Sequence, residues 1–237
     1  MKLFTRRFFP LLMVTFFVAA VVTGQGVPGD SEPKLLTNTR FTLPQSVIDA
    51  EIDGKVQVAI FLDDKGKPKK AVMSAGPMWP CGTQPIKAID DLDKALTEMA
   101  MSLTFSPAIK SGKAESRALS LTLELKNPKL EFKPEIDPAT GKPKEPVITG
   151  SVLNGKALSL GRPNYPSEAK ARRDGGSVDV LILISEDGSI LRAGALNGAA
   201  TLQFAARDAA CRSKFSPTLL AGNPVKVSGI VTYNFVP

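Results

Sequence analysis

The sequence predicts an α+β chain built from two tandem copies of one small sheet-and-helix module. Three observations carry this reading. Glycines recur at matching intervals: Gly54, Gly66 and Gly76 in one part of the chain, Gly176, Gly188 and Gly198 in the other, at a constant offset of 122. The run that follows the first glycine of each set, 56–62 and 178–184, alternates in polarity with the period of two that marks a strand. Each copy then carries a stretch with apolar residues at helical spacing, ending in Phe-Ser-Pro at 105–107 and 215–217. Self-similarity at a fixed spacing is the signature of a repeated supersecondary unit.

The chain opens with Lys2, Arg6 and Arg7 ahead of an apolar run at 8–22 and a small-residue exit, Thr23-Gly24-Gln25. This reads as an export signal over residues 1–24. The rival reading is an uncleaved anchor, although this fifteen-residue run spans only about 22 Å as a helix against a hydrocarbon core of ~30 Å. Either way the rest of the chain is expected outside the cytoplasm. No cysteine sits near the exit, which argues against a lipoprotein. Residues 25–39, rich in Gly, Pro and charge, are expected to form a mobile leader.

The first module is placed at 40–126. Leu43-Pro44 leads to Gly54, then to a strand with Val56, Val58, Ile60 and Leu62 on one face and Gln57 and Asp63 on the other. Asp63-Asp64-Lys65-Gly66 is a turn. Leu92, Leu96, Met99, Ala100 and Leu103 form a helical core stripe, and 118–125 is the last strand. From Phe105 onward the offset between the copies falls to 110, so the first copy carries a twelve-residue insertion between hairpin and helix. Residues 78–85, with Trp79 and Cys81 among prolines, belong to it. Trp79 is either a partner-binding anchor or a side chain packed over its own module. Residues 127–146, rich in Pro, Lys and Glu, read as a semi-rigid linker. A strand-like lead-in follows at 147–160, with Asn154-Gly155 as a candidate hairpin turn.

The second module, with that lead-in, covers 147–237. Tyr165-Pro166 precedes a short charged helix at 167–173, and Gly175-Gly176 precedes the strand carrying Val178, Val180, Ile182 and Ile184. A turn at 186–189 leads to a strand at 190–196. A helix at 199–214 has the core stripe Leu202, Ala205, Ala206, Ala209 and Ala210. After Gly222 a final strand is expected at 225–235.

In the order and spacing of Tyr165-Pro166, Gly176, Asp187-Gly188, Ala205-Ala206, Phe215-x-Pro217, Gly222 and Tyr233-x-Phe235, residues 162–237 resemble the C-terminal domain of the TonB energy-transducer family. The resemblance implies a three-stranded antiparallel sheet with two helices on one face in each module, the first copy being divergent. There Leu43 stands for Tyr165, and Leu123 and Leu125 for Tyr233 and Phe235. It further implies a periplasmic place, free or anchored to the inner membrane, and a role in transport across the outer membrane. The partner it implies is a receptor's TonB-box peptide, or another envelope protein, added as a strand to the last strand. An open sheet edge offers unpaired backbone groups, so such a strand gains main-chain hydrogen bonds. The matching positions are Val225, Val227, Val231, Tyr233 and Phe235, whose side chains can equally cap the core. Family anchors that contact the ExbB–ExbD motor carry a Ser and a His, and residues 8–22 contain no His. Small open-edged sheets also permit a swapped homodimer.

Composition excludes most other classes. The chain has no histidine, which removes Ser/His/Asp and Cys/His catalysis and the commonest metal ligand. Cys81 and Cys211 form no C-x-x-C pair. In an oxidising compartment they can join as a disulfide that clamps the modules, with free thiols or an intermolecular bridge as alternatives. Asp63-Asp64 and Glu186-Asp187 sit in turns before glycine, where Asp is favoured for backbone hydrogen bonding. Gly175-Gly176 lacks the Gly-Lys-Ser/Thr of a phosphate loop. Of the net charge of +7, three charges lie in the export segment, and no basic run is interleaved with aromatics, so nucleic acid is not an expected partner. The expectation is a non-enzymatic binding protein without cofactor or metal. The alternative is a structural adaptor of the cell envelope that holds protein partners or wall polymer.

Overall fold

The computed structural model describes residues 30–37, 41–130 and 148–237. The expected export segment and residues 131–146 of the expected linker lie outside them. The first unit runs α1 (Gln45–Asp49), β1 (Gly54–Leu62), β2 (Pro68–Ala75), β3 (Trp79–Pro80), α2 (Ile86–Ser102), β4 (Ala108–Lys110), β5 (Lys113–Glu115) and β6 (Arg117–Leu125). The second runs β7 (Ile148–Val152), β8 (Ala157–Ser159), α3 (Ser167–Arg172), β9 (Gly176–Ile184), β10 (Ile190–Ala195), α4 (Ala200–Cys211), β11 (Lys214–Phe215), β12 (Thr218–Leu220), β13 (Asn223–Val225) and β14 (Val227–Phe235). The fold class is α+β, with largely antiparallel sheets.

The two units share a register. β1 pairs antiparallel with β6 from Gly54↔Leu125 to Leu62↔Arg117, and β9 pairs with β14 from Gly176↔Phe235 to Ile184↔Val227. Alternation puts Val56, Val58 and Ile60 into one core, against Leu92, Leu96 and Ala100 of α2. It puts Val178, Val180 and Ile182 into the other, against Leu202, Ala206, Ala209 and Ala210 of α4. Met99 and Ala205 of the expected stripes are half-buried at the flanks. A turn glycine closes each hairpin against the segment that follows its helix. A Cβ on Gly66 would stand 2.4 Å from the Phe105 carbonyl oxygen, and one on Gly188 would stand 1.9 Å from that of Phe215. Both glycines also have positive φ (78° and 81°), so the position admits no side chain on either count.

Several expectations need correction. The leader is docked where it is described: Ser31 and Leu35 bridge Ile109 and Phe105, and Glu32 pairs with Arg117. Asn127 is no linker residue. It is buried, and its Nδ2 donates to the carbonyls of Val47, Ile48 and Ile52 at 3.1–3.2 Å. Asn154-Gly155 makes a 3-10 turn rather than a hairpin, because β7 runs parallel to β14 while β8 pairs with β11. The final strand begins at Val227. Val225 instead ends a small hairpin in which β12 pairs with β13 across Ala221-Gly222, both at positive φ. The second sheet has five strands in the order β3-β10-β9-β14-β7, two more than the expected three.

Candidate functional site

β14 is the strand on which the sequence places partner binding. Four of its five singled-out residues, Val227, Val231, Tyr233 and Phe235, point into the core, and Val225 lies half-buried in the β12–β13 hairpin. Phe235 meets Tyr165 edge-on at 5.7 Å between ring centroids. The Tyr233 hydroxyl lies 3.3 Å from Ser213 Oγ, and burial pushes the phenol pKa up. These side chains therefore anchor the strand in the core, and what it offers for pairing is its backbone. One edge of β14 is fully taken by β9. The other meets β7 in parallel at Val227↔Ile148, Ser228↔Thr149 and Ile230↔Val152, and Leu153 N–H donates to the Ile230 carbonyl at 2.8 Å.

The opposite edge of the sheet is β10, and the insertion of the first unit closes it. Trp79 and Pro80 pair with Ala193 and Arg192. Gly76 N–H donates to Ala195 O at 3.2 Å and Cys81 N–H to Leu191 O at 2.9 Å, extending the ladder on both sides. Gly194 permits the approach, since a Cβ there would stand 2.3 Å from the Pro77 carbonyl oxygen. Cys81 and Cys211 are joined by a disulfide beside this strand.

Two arginines fasten it. Arg207 of α4 is buried. Its Nε donates to Ala193 O at 3.2 Å, and its Nη2 to Trp79 O at 3.0 Å and Pro80 O at 2.8 Å. The guanidinium carbon lies 3.9 Å from the Trp79 ring centroid, the geometry of a cation–π contact. Burial pushes its pKa down to about 10, with Asp208 opposing, so it remains a cation at neutral pH. Arg192 reaches into the first unit, pairing with Asp53 Oδ1 at 2.6 Å and donating to the Glu51 carbonyl. Burial raises the Asp53 carboxyl above its ordinary range against the pull of Arg192. Trp79 also packs on Phe204 at 5.6 Å.

Sequence reasoning missed both arginines. A signal existed for one of them. Gln203, Arg207 and Cys211 stand at i, i+4 and i+8 on α4, one stripe beside the alanines. That stripe meets the first unit: Gln203 Nε2 donates to Ser74 O at 2.8 Å, Arg207 meets Trp79 and Pro80, and Cys211 bonds Cys81. Among the described residues no cluster of His, Cys, Asp or Glu is placed to hold a metal ion, and no helix is long and apolar enough to cross a membrane.

Comparison with known proteins bears on the second unit. The family model described as Gram-negative bacterial TonB protein C-terminal matches residues 161–237. A solved structure, the solution NMR structure of the Pseudomonas aeruginosa TonB CTD, is 27% identical and covers 37% of this chain and 93% of its own, with a TM-score of 0.31. No curated protein matches the chain. The matched stretch holds β9, β10, α4 and β14 whole, with Tyr165 and Phe235 in contact near its two ends. The C-terminal unit, from residue 161 to residue 237, thus carries the signature of the TonB C-terminal family.

Proposed function

We propose that this is a non-enzymatic, TonB-like protein of the periplasm whose C-terminal unit binds an extended segment of a partner by strand addition at β14. The partner is the TonB-box-like peptide of an outer-membrane receptor, and the process served is transport across that membrane. One observation carries the reading: β14 already accepts a strand on its outer edge, in parallel, through its backbone. The Cys81–Cys211 disulfide favours an oxidising compartment, which suits an export signal at 1–24. The register shared by β1–β6 and β9–β14 supports reading residues 40–126 as a divergent copy of the matched module.

The test is a titration of the isotopically labelled protein with peptides from the periplasm-facing segments of candidate receptors. Shifts and slowed amide exchange centred on Ser228 and Ile230 are expected. Perturbation confined to other elements, or none across the peptide set, refutes the reading. A second reading, a non-transducing envelope adaptor, is favoured by the fastening of the two units through Arg192, Arg207 and the disulfide. Such an assembly holds the two units at a fixed spacing. Co-sedimentation with purified cell wall, together with a mature N-terminus at Gln25 in the soluble fraction, supports the adaptor. An intact Met1 in the inner-membrane fraction supports the transducer.

A further inference from the structure

We propose that β7 is a displaceable plug: the chain's own strand occupies the acceptor edge of β14, and a partner binds by replacing it in the same parallel direction. This rests on the strand-addition reading above and adds which edge opens, in what orientation, and what holds it shut.

The two edges of the second sheet are closed by unlike means. On β10 the closing strand β3 is fastened by a disulfide, two arginine side chains and the close approach at Gly194. The residue that follows it is tethered covalently to α4. On β14 the closing strand has five residues and meets its neighbour at three register positions, with a break between Ser228 and Ile230. β9 pairs with the same strand at all nine of its positions, without a break. Parallel pairing is also slightly weaker per residue than antiparallel pairing.

The chain next to β7 is built so that it can leave alone. Leu153 is buried in the core, and Lys156 N–H closes a turn onto Leu153 O at 2.9 Å. Beyond that turn β8 is held separately by β11, through Ala157↔Phe215 and Ser159↔Lys214. Residues 148–152 can therefore detach at this turn while everything from Leu153 onward stays packed. A ligand that needs the open edge binds with its intrinsic affinity reduced by the fraction of time the plug is out.

The probe is a fluorescein-labelled peptide with the plug's own sequence, residues 146–153. It is titrated into the full chain and into the full chain carrying Thr149→Pro and Ser151→Pro, which removes two N–H donors and the extended pairing. The peptide is expected to bind the double variant at least about tenfold more tightly than the unaltered chain. Equal binding to both overturns the plug and leaves β14 an acceptor. Binding to neither overturns the plug, while the strand-addition reading stands or falls by the receptor-peptide titration above. Hydrogen exchange on the unaltered chain gives a check that does not depend on the variant's folding. Those amides of residues 149–152 that are bonded to β14 are expected to exchange at least about tenfold faster than those of 178–183 and than that of Leu153, and equal protection overturns the plug.

Discussion

Replacing Arg207 by Met tests whether the two units are joined by a specific polar fastening. Methionine keeps most of the aliphatic volume and removes the guanidinium. Three carbonyl oxygens, those of Trp79, Pro80 and Ala193, then lose their donor in a buried place, and Trp79 loses the cation over its ring. An orphaned buried acceptor costs about 1–3 kcal/mol, and a desolvated cation–π contact is worth up to about 2 kcal/mol. Relief from burying the charge offsets part of this, so the net loss is put at about 3–5 kcal/mol, the range for breaking a buried charged network from one side. With a urea m-value of about 2 kcal/mol/M this moves the midpoint down by roughly 1.5–2.5 M. Trp79 is the only tryptophan in the chain, so its emission reports this contact directly while circular dichroism reports the units. Arg207→Lys keeps the charge without the planar fork and should recover less than half of the loss. A Met variant within about 0.5 kcal/mol of the parent, a change typical of surface sites, with unshifted Trp79 emission would refute the reasoning.

Other perturbations follow from the same geometry. Changing Cys81 and Cys211 together to Ser opens a link across a sequence separation of 130, and the chain-entropy estimate is a loss of about 5 kcal/mol; an unchanged urea midpoint would show that this loop is not the constraint. Gly194→Val drives a Cβ toward the Pro77 backbone, so β3 should leave β10 and expose a bare edge. Concentration-dependent association in size-exclusion chromatography is the readout. The hydroxyls of Ser185 and Ser189 and the Ser189 N–H hold the Asp187 carboxyl well below the usual carboxylate range. A depressed folded-state pKa stabilises above the unfolded value of about 3.9 and loses that contribution as pH falls toward the folded one. Asp187→Ala should therefore lower Tm at neutral pH, with the gap closing below about pH 4 in thermal melts; a gap that stays constant with pH would refute this.

Much of the secondary structure was legible because fixed backbone demands mark it. The matching glycine spacings could be read because positions such as 66 and 188 combine positive φ with a carbonyl where a side chain would go. Strand faces and helix stripes could be read because burial enforces periodicity. The insertion was legible in length but not in destination: nothing in residues 78–85 says which sheet edge they will join. The Ala221-Gly222 turn was hidden because alanine at positive φ is an unusual turn residue. Arg192 and Arg207 were missed because charge reads as surface, and only a partner supplied by a distant segment makes their burial favourable. The neighbour of β7 was out of reach for the same reason, since a five-residue strand does not encode its pairing partner.

The strand that closes β10 comes from the part of the chain made first. Chains grow at about 5–20 residues per second, and β3 ends at Pro80 while β10 begins at Ile190, so the capping strand is made roughly 5–22 seconds before the strand it caps. Whichever compartment the chain folds in, the cover lies N-terminal to the edge that it protects. The order of genes that fuse such units thus matters: with the two halves exchanged, the same surfaces would meet in the end, but an unprotected edge would have to wait for its cover among other newly made chains.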